Sequence, residues 1–226
     1  MSDNGQTSHE EFAVIFDMDG VIVDNNWAHK EAIQRFFSDH GVDLTDREFR
    51  ERVFGRTNRE WIRETFDQEL PQDQIQRMIR EKEALYREIY QPHIALLGGL
   101  RKLLESLEKV EVPLALATSA PMSNVEFILG EGDIDGYFQV ILTDADVTEG
   151  KPHPEIYLKT ADALGTPPEQ CIVIEDSLAG VEAGKAAGAS VIAVTTTHSR
   201  EELSHANLVV EDFRELAIPV LRGLIN

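Results

Sequence analysis

The rhythm of apolar and polar positions changes twice along the chain. Phe12-Ala13-Val14-Ile15 is an unbroken apolar run leading into Phe16-Asp17-Met18-Asp19-Gly20, which reads as a buried strand entering a turn. Beyond it the spacing becomes helical. Ala32, Ile33, Phe36 and Phe37 fall on one face of a helix predicted over 27–37, and further helical patterns cover 46–53, 58–66 and 72–90 with no strand between them. After Gln91-Pro92 and the Gly98-Gly99 pair the pattern alternates. Helices are predicted over 100–107, 124–130, 154–164 and 179–187, and strands over 112–117, 140–142, 171–175 and 190–194. Such alternation predicts a parallel sheet with flanking helices.

The first strand matches the later ones in pattern but precedes the helical block, so the block reads as an insertion. The expected organisation is an α/β protein: a doubly wound parallel-sheet, Rossmann-like core from 11–25 and 92–226, a helical cap over 26–91, and a disordered tail over 1–10. A length of 226 residues with 42% hydrophobic content supports a core of that size. The formal net charge of -20 argues against nucleic acid and against an anionic membrane surface as partners, so an anionic ligand must be drawn in by local charge. It suits an ordinary acidic enzyme or one from a salty cytoplasm. Cys171, the single cysteine, lies inside a predicted strand and reads as structural rather than reactive. Residues 1–10 lack the basic start and apolar centre of a signal peptide, and no apolar run has the length of a membrane span. A cytoplasmic monomer is the expectation.

Chemistry concentrates where the strands stop. Asp17 and Asp19 follow the first strand; Thr118-Ser119 follows 112–117; Glu175-Asp176-Ser177 closes 171–175; and Lys151 sits among turn residues in Gly150-Lys151-Pro152-His153-Pro154. In an open parallel sheet, ligands bind outside the carboxyl ends of the strands near a topological switch point, so these groups converge if the sheet forms as read. Ionised carboxylates near a core need a partner, and Mg²⁺ prefers hard oxygen ligands. Taken singly, each segment also has an ordinary reading: Asp-Gly as a turn, Thr-Ser and Glu-Asp as helix caps, Lys151 as a solvated charge. All four together are much harder to explain that way.

Asp-Met-Asp-Gly-Val after a strand, then Thr-Ser, then Lys-Pro-x-Pro, then Glu-Asp-Ser with Gly180 following, resembles the four ordered motifs of the haloacid dehalogenase superfamily. The likeness runs from about Phe12 to the end of the chain and is nearest to the β-phosphoglucomutase-like branch of phosphatases and mutases. It implies a helical cap closing over the site and a Mg²⁺-dependent phosphohydrolase acting on a small phosphorylated metabolite such as a sugar phosphate. By the same resemblance Asp17 is the nucleophile, forming an aspartyl-phosphate, and Asp19 the general acid and base. Metal ligands are then Asp17, the backbone carbonyl of Asp19, Asp176 and Glu175, the last direct or through water. Thr118 and Ser119 hold phosphate oxygens, and Lys151 offsets charge on nucleophile and phosphoryl group.

Three cap residues complete the candidate set. His29 lies on the stripe of the first cap helix, where the mutase branch places a substrate-sensing histidine; a histidine there is otherwise an edge-of-core residue. Lys82 interrupts an apolar stripe running through Ile75, Met78, Ile79, Tyr86 and Ile89, so it either snorkels from the stripe's edge or points toward a second anionic group. Asn58 departs from the mutase pattern. It stands in Gly55-Arg56-Thr57-Asn58-Arg59 where that branch has an arginine, and an amide lacks the charged bidentate fork that favours a second phosphate. Arg56 or Arg59 would substitute from a neighbouring position, or each is an ordinary exposed helix residue.

The alternative function is therefore a β-phosphoglucomutase-type sugar-phosphate mutase, supported by His29 and Lys82 and opposed by Asn58. A carbon–halogen hydrolase leaves Asp19 and Glu175-Asp176 without a task. A noncatalytic binder has no use for both Asp17 and Asp19.

Overall fold

A computed structural model describes residues 12–53 and 57–225. The predicted tail over 1–10, and Gly55 and Arg56 of the cap motif, lie outside the described residues. The chain divides into two compact units: residues up to Asp24 together with those from Ile94 onward, and Asn25–His93. No helix among the described residues is long and apolar enough to cross a membrane.

In the first unit, six strands form one sheet: β1 (Ala13–Phe16), β2 (Leu114–Ala117), β3 (Val140–Leu142), β4 (Cys171–Glu175), β5 (Ser190–Val194) and β6 (Leu208–Val210). Their order is β3-β2-β1-β4-β5-β6 and every pairing is parallel. The order reverses at β1, so the switch point falls between β1 and β4, whose register pairs Phe16 with Ile174. The central strands β1, β2 and β4 are buried along their whole length, which explains why they read as continuous apolar runs rather than alternating ones.

Odd-numbered residues of the strands, including Ile15, Ala115, Val173 and Val191, pack on one face with Ile156 and Tyr157 of α7 (Glu155–Leu164) and with Val181 and Ala183 of α8 (Leu178–Ala186). On the other face the Phe16 ring meets Phe138 edge-on at 5.9 Å and lies 6.1 Å from Phe213. Both faces are thus covered, as a parallel sheet requires. The sheet is one strand longer than the alternation implies. β6 is a three-residue edge strand, too short to carry a period, and the C-terminal helix Ile218–Ile225 escapes notice because Pro219 and Gly223 interrupt its pattern. The second strand begins at Leu114 rather than 112, after Pro113, which has no N–H to offer a ladder.

The second unit is helical: α1 (Asn26–Asp39), α2 (Asp46–Arg52), α3 (Asn58–Thr65) and α4 (Gln72–Tyr90). Two capping boxes set its short helices, Thr45 with Glu48 before α2 and Thr57 with Glu60 before α3. Its core gathers Ile33, Phe36 and Phe37 of α1 around Trp61 and Ile62 of α3 and Ile75 and Met78 of α4. Trp61 sits 5.7 Å from Phe36 and 5.1 Å from Phe37, ring centre to ring centre. Trp61→Ala is expected to cost about 3–5 kcal/mol, the usual loss for a large buried aromatic. Urea denaturation followed by far-ultraviolet dichroism checks this, and a midpoint equal to wild type contradicts the packing.

Candidate active site

Strand register brings the distant motifs together. The Asp17 amide donates to the Ile174 carbonyl at 2.9 Å, so the chain leaves β1 beside the point where β4 runs into Glu175 and Asp176. Carboxylate oxygens of Asp17, Glu175 and Asp176 lie within 4.8 Å of one another, and all three residues are buried. Lys151, more than a hundred residues from Asp17 in sequence, reaches the same place. Its Nζ donates to Asp17 Oδ1 at 2.7 Å, to Glu175 Oε1 at 2.6 Å and to the Ala117 carbonyl at 3.3 Å. Thr118 follows β2 directly and is buried, its Oγ1 accepting from the Ala120 amide at 3.0 Å, while Ser119 is exposed. Asp19 is half-buried in the turn after β1.

Glu175 is the most completely held of these groups. Oε1 accepts from Lys151 and, at 2.7 Å, from the Tyr157 hydroxyl; Oε2 accepts from the amides of Asp176 and Ser177 and from the Ser177 hydroxyl. Burial alone raises its carboxyl, but Lys151 and these donors hold it below the ordinary value. For Asp17 burial outweighs the same lysine, and with Glu175 and Asp176 adding repulsion its carboxyl sits well above the ordinary value. Burial and then Glu175 push Asp176 up to about 7, against the pull of the Thr197 hydroxyl. Burial also disfavours the Lys151 ammonium, yet Asp17 and Glu175 keep it well above its ordinary value. One ammonium thus bonds two of the three clustered carboxylates, and only Glu175 is held below its ordinary value.

That imbalance tests the cluster as a cation site. With all three carboxylates ionised and Lys151 protonated, two negative charges remain, which matches one divalent ion. The donors are all oxygen, as Mg²⁺ prefers. Asp17 and Asp176 would hold such an ion. Glu175, with five donors already on it, fits better as the anchor of Lys151, which narrows the expectation that it ligates directly.

Two glycines make room for this arrangement. Gly20 has φ +77, and a Cβ there would stand 1.9 Å from Asp176 Oδ2; a Cβ on Gly180 would stand 1.9 Å from Glu175 Oε1.

The sequence reading missed three contributors. Tyr157 lies on the buried face of α7, where a tyrosine needs a partner for its hydroxyl. Thr196 and Thr197 follow β5 just as Thr118-Ser119 follows β2. Thr196 Oγ1 donates to the Gly20 carbonyl at 2.6 Å, and the Thr197 hydroxyl donates to Asp176 Oδ2. The hydroxyl run after a buried strand was the available signal. Cys171 is buried, and its thiol is pushed up to about 11, first by burial and then by Glu169, which agrees with an inert structural role.

The three cap candidates meet within the helical unit. Lys82 Nζ donates to Glu83 Oε1 at 2.6 Å and lies 3.4 Å from His29 Nδ1, and Asn58 Nδ2 donates to that same Glu83 oxygen at 2.7 Å. His29 stacks on Tyr86 with ring centres 3.8 Å apart. Lys82 does not snorkel: it is buried and ion-paired. Arg59 is exposed and donates to Gln72 at 2.9 Å, an ordinary surface residue.

A family model for haloacid dehalogenase-like hydrolases matches residues 14–194. The chain belongs to that family. It is 35% identical over 180 residues to the phosphorylated carbohydrates phosphatase of Thermotoga maritima, covering 78% of this chain and 81% of that protein. It is 32% identical over 205 residues to the validoxylamine A 7'-phosphate phosphatase of Streptomyces hygroscopicus subsp. limoneus, covering 91% and 95%. Among solved structures it resembles the β-phosphoglucomutase of Clostridium difficile, with a TM-score of 0.82, 28% identity, and coverage of 95% of this chain and 96% of that one.

Gly180→Ala is expected to dislodge the Glu175 carboxylate or the start of α8, lowering stability by about 1–3 kcal/mol. A thermal melt of the variant at the wild-type temperature would contradict the contact.

The Asp176 shift gives a second expectation. A carboxyl raised from 3.8 to about 7 on folding contributes stability that is complete below the lower value and lost as pH rises through the upper one. Cation-free protein should therefore lose thermal stability between about pH 5 and pH 8, and Mg²⁺ should raise the melting temperature more at the higher pH. Calorimetry with and without Mg²⁺ decides it; an equal or larger Mg²⁺ effect at the lower pH contradicts the charge balance.

Proposed function

We propose that the chain is a Mg²⁺-dependent phosphohydrolase acting on a small phosphorylated metabolite, most naturally a sugar phosphate. The observation that carries this reading is the Lys151 ammonium held between Asp17 and Glu175 where β1 and β4 end side by side. The phosphatase names of the two relatives support it.

Phosphoryl transfer needs an in-line nucleophile, neutralised charge and a proton for the leaving group. Asp17 attacks phosphorus as a carboxylate, forming an aspartyl-phosphate as the ester oxygen departs. Asp19 gives that oxygen its proton and later takes one from the water that cleaves the acyl phosphate. Lys151 offsets negative charge on Asp17 and on the transferred group. The Thr118 hydroxyl and the Ser119 amide hold phosphate oxygens, and Thr197 and Gly20 fix the orientation of Asp176. Asp17 and Asp176, with the Asp19 carbonyl, would hold Mg²⁺, which would supply charge neutralisation for the phosphoryl group.

A sugar-phosphate mutase is the second reading, favoured by the approach of Lys82 to His29 and by the likeness to β-phosphoglucomutase. In it the phosphoryl group returns from Asp17 to another hydroxyl. Incubation with β-glucose 1-phosphate and a bisphosphate activator separates the two, since glucose 6-phosphate marks the mutase and free phosphate the hydrolase.

Phosphate release from a panel of phosphorylated metabolites with Mg²⁺, including pyrophosphate and phosphoglycolate, tests the leading reading. Asp17→Asn is expected to lower turnover by about a thousandfold or more, and EDTA to abolish it reversibly. Asp17→Asn retaining most of the activity would exclude the covalent route.

A further inference from the structure

Two threonines after β5 reach away from their own strand. Ala193 of β5 is in register with Glu175 of β4, so the residues that follow β5 emerge beside Asp176. The Thr195 amide still donates to the Val210 carbonyl at 3.0 Å, continuing the pairing with β6. Thr196 and Thr197 then turn their hydroxyls toward β4 and the turn after β1. Thr196 Oγ1 donates to the Gly20 carbonyl at 2.6 Å and lies 3.4 Å from Asp176 Oδ2, and the Thr197 hydroxyl donates to that same oxygen. A threonine that only finishes a strand bonds backbone close to itself in sequence. The bond from Thr196 to Gly20 spans 176 residues.

Gly20 is held from both sides. Its amide donates to the Val23 carbonyl at 2.8 Å, and its carbonyl accepts from Thr196. The Asp19 carbonyl shares a planar peptide with the Gly20 amide, so fixing that amide fixes the direction of the carbonyl. Gly20 in turn packs against Asp176, leaving no room for a side chain between them. The threonines therefore join two of the groups that would hold the ion, the Asp19 carbonyl and the Asp176 carboxylate, into one rigid piece. Lys151 serves the rest of the cluster, since its bonds go to Asp17, Glu175 and Ala117. Hydroxyls suit the task because a neutral donor orients a carboxylate without cancelling the charge that a cation needs.

Rigidity of the donors is what separates divalent ions. Mg²⁺ demands near-ideal octahedral geometry at about 2.0–2.1 Å, whereas Ca²⁺ takes about six to eight oxygens at about 2.3–2.6 Å in a flexible shell. We propose that Thr196 and Thr197 are positioning residues that set the ion preference of this site: by tying Asp176 to the Asp19–Gly20 peptide they hold the oxygen donors to the geometry of the smaller ion and shift the preference toward Mg²⁺. The inference rests on the Mg²⁺ site of the phosphohydrolase reading and adds the part of the chain that discriminates between ions. Removing either hydroxyl loosens the donors, which a small ion with strict geometry feels and a larger, adaptable one tolerates.

Thermal melts of the full chain, stripped of metal with EDTA and dialysed, are recorded against increasing MgCl₂ and, separately, CaCl₂. The rise in melting temperature gives a dissociation constant for each ion. Thr196→Val and Thr197→Val keep the branched shape and remove the hydroxyl. Each is expected to weaken Mg²⁺ binding by about tenfold or more, the usual loss when a residue that orients a metal ligand is changed, and Ca²⁺ binding by less than about threefold. Thr196→Ser and Thr197→Ser keep the donor and should stay within about twofold of the parent for both ions. A merely structural role lowers the melting temperature without metal and moves both ions alike, so the ratio of the two constants decides. Should one valine variant fail to fold, the other and the alanine variants at both positions carry the test. Equal loss for Mg²⁺ and Ca²⁺, or no change for either, overturns the inference while leaving the Mg²⁺ site in place. Absence of any stabilisation of the parent by Mg²⁺ overturns the site itself and the inference with it.

Discussion

Much of the first unit is arranged around a single ammonium group. Lys151 Nζ stands between Asp17 and Glu175, and its third hydrogen bond goes to the carbonyl of Ala117 at the end of β2. Three strand ends are thereby tied to one side chain. Without that charge, burial of the carboxylates would be prohibitive, because an unpaired ionised group in a low-dielectric setting neutralises or pulls in water. With it, Glu175 is stabilised as an anion while Asp17 and Asp176 are held protonated more readily than ordinary carboxyls. The cluster is balanced only when a further positive charge arrives. The folded chain therefore gathers oxygen donors that could hold a cation, whatever the resemblance.

The sheet order explains why this meeting is possible. β1 is central, with β2 on one side and β4 on the other, so residues that follow these strands emerge side by side although they lie far apart in sequence. Gly20 and Gly180 carry the same constraint into the backbone. Each lets the chain pass a carboxylate at a distance no side chain would allow. Tyr157 serves from the other direction, donating to Glu175 from α7 and lying with its ring 5.0 Å from Lys151 Nζ. Its phenol is kept neutral first by burial and then by Glu175, so it remains a donor.

Sequence was most legible where the physics is local. Continuous apolar runs marked β1, β2 and β4, because strands buried on both faces admit nothing else. The helical stripe of α1 marked Phe36 and Phe37 as core, and the order of the four motifs located Asp17, Thr118, Lys151 and Asp176. What sequence withheld was set by tertiary contact. β6 has three residues and no period. Tyr157 lies on the buried face of α7, and its partner Glu175 is set by the fold rather than by any local pattern. Lys82 offered two meanings, a snorkelling edge residue or an anion receptor, and neither foresaw a neighbour on the same helix, Glu83, as its buried partner. Adjacent residues on a helix point about a hundred degrees apart, so periodicity gives no reason to pair them.

The Lys82–Glu83 partnership contrasts in its construction with the cluster around Asp17. The groups around Asp17 are constrained from many sides: five donors fix Glu175, two glycines fit against carboxylates, and Lys151 spans two acids. A substitution there disturbs several contacts at once. The cluster around Glu83 is built differently, from side chains on α1, α3 and α4 joined chiefly through one carboxylate oxygen. Changing that one residue alters the net charge of the cluster by a full unit while leaving the aromatic core of Phe36, Phe37 and Trp61 untouched. A charge change at Glu83 is therefore confined to the helical unit, while the carboxylate cluster around Lys151 lies in the other.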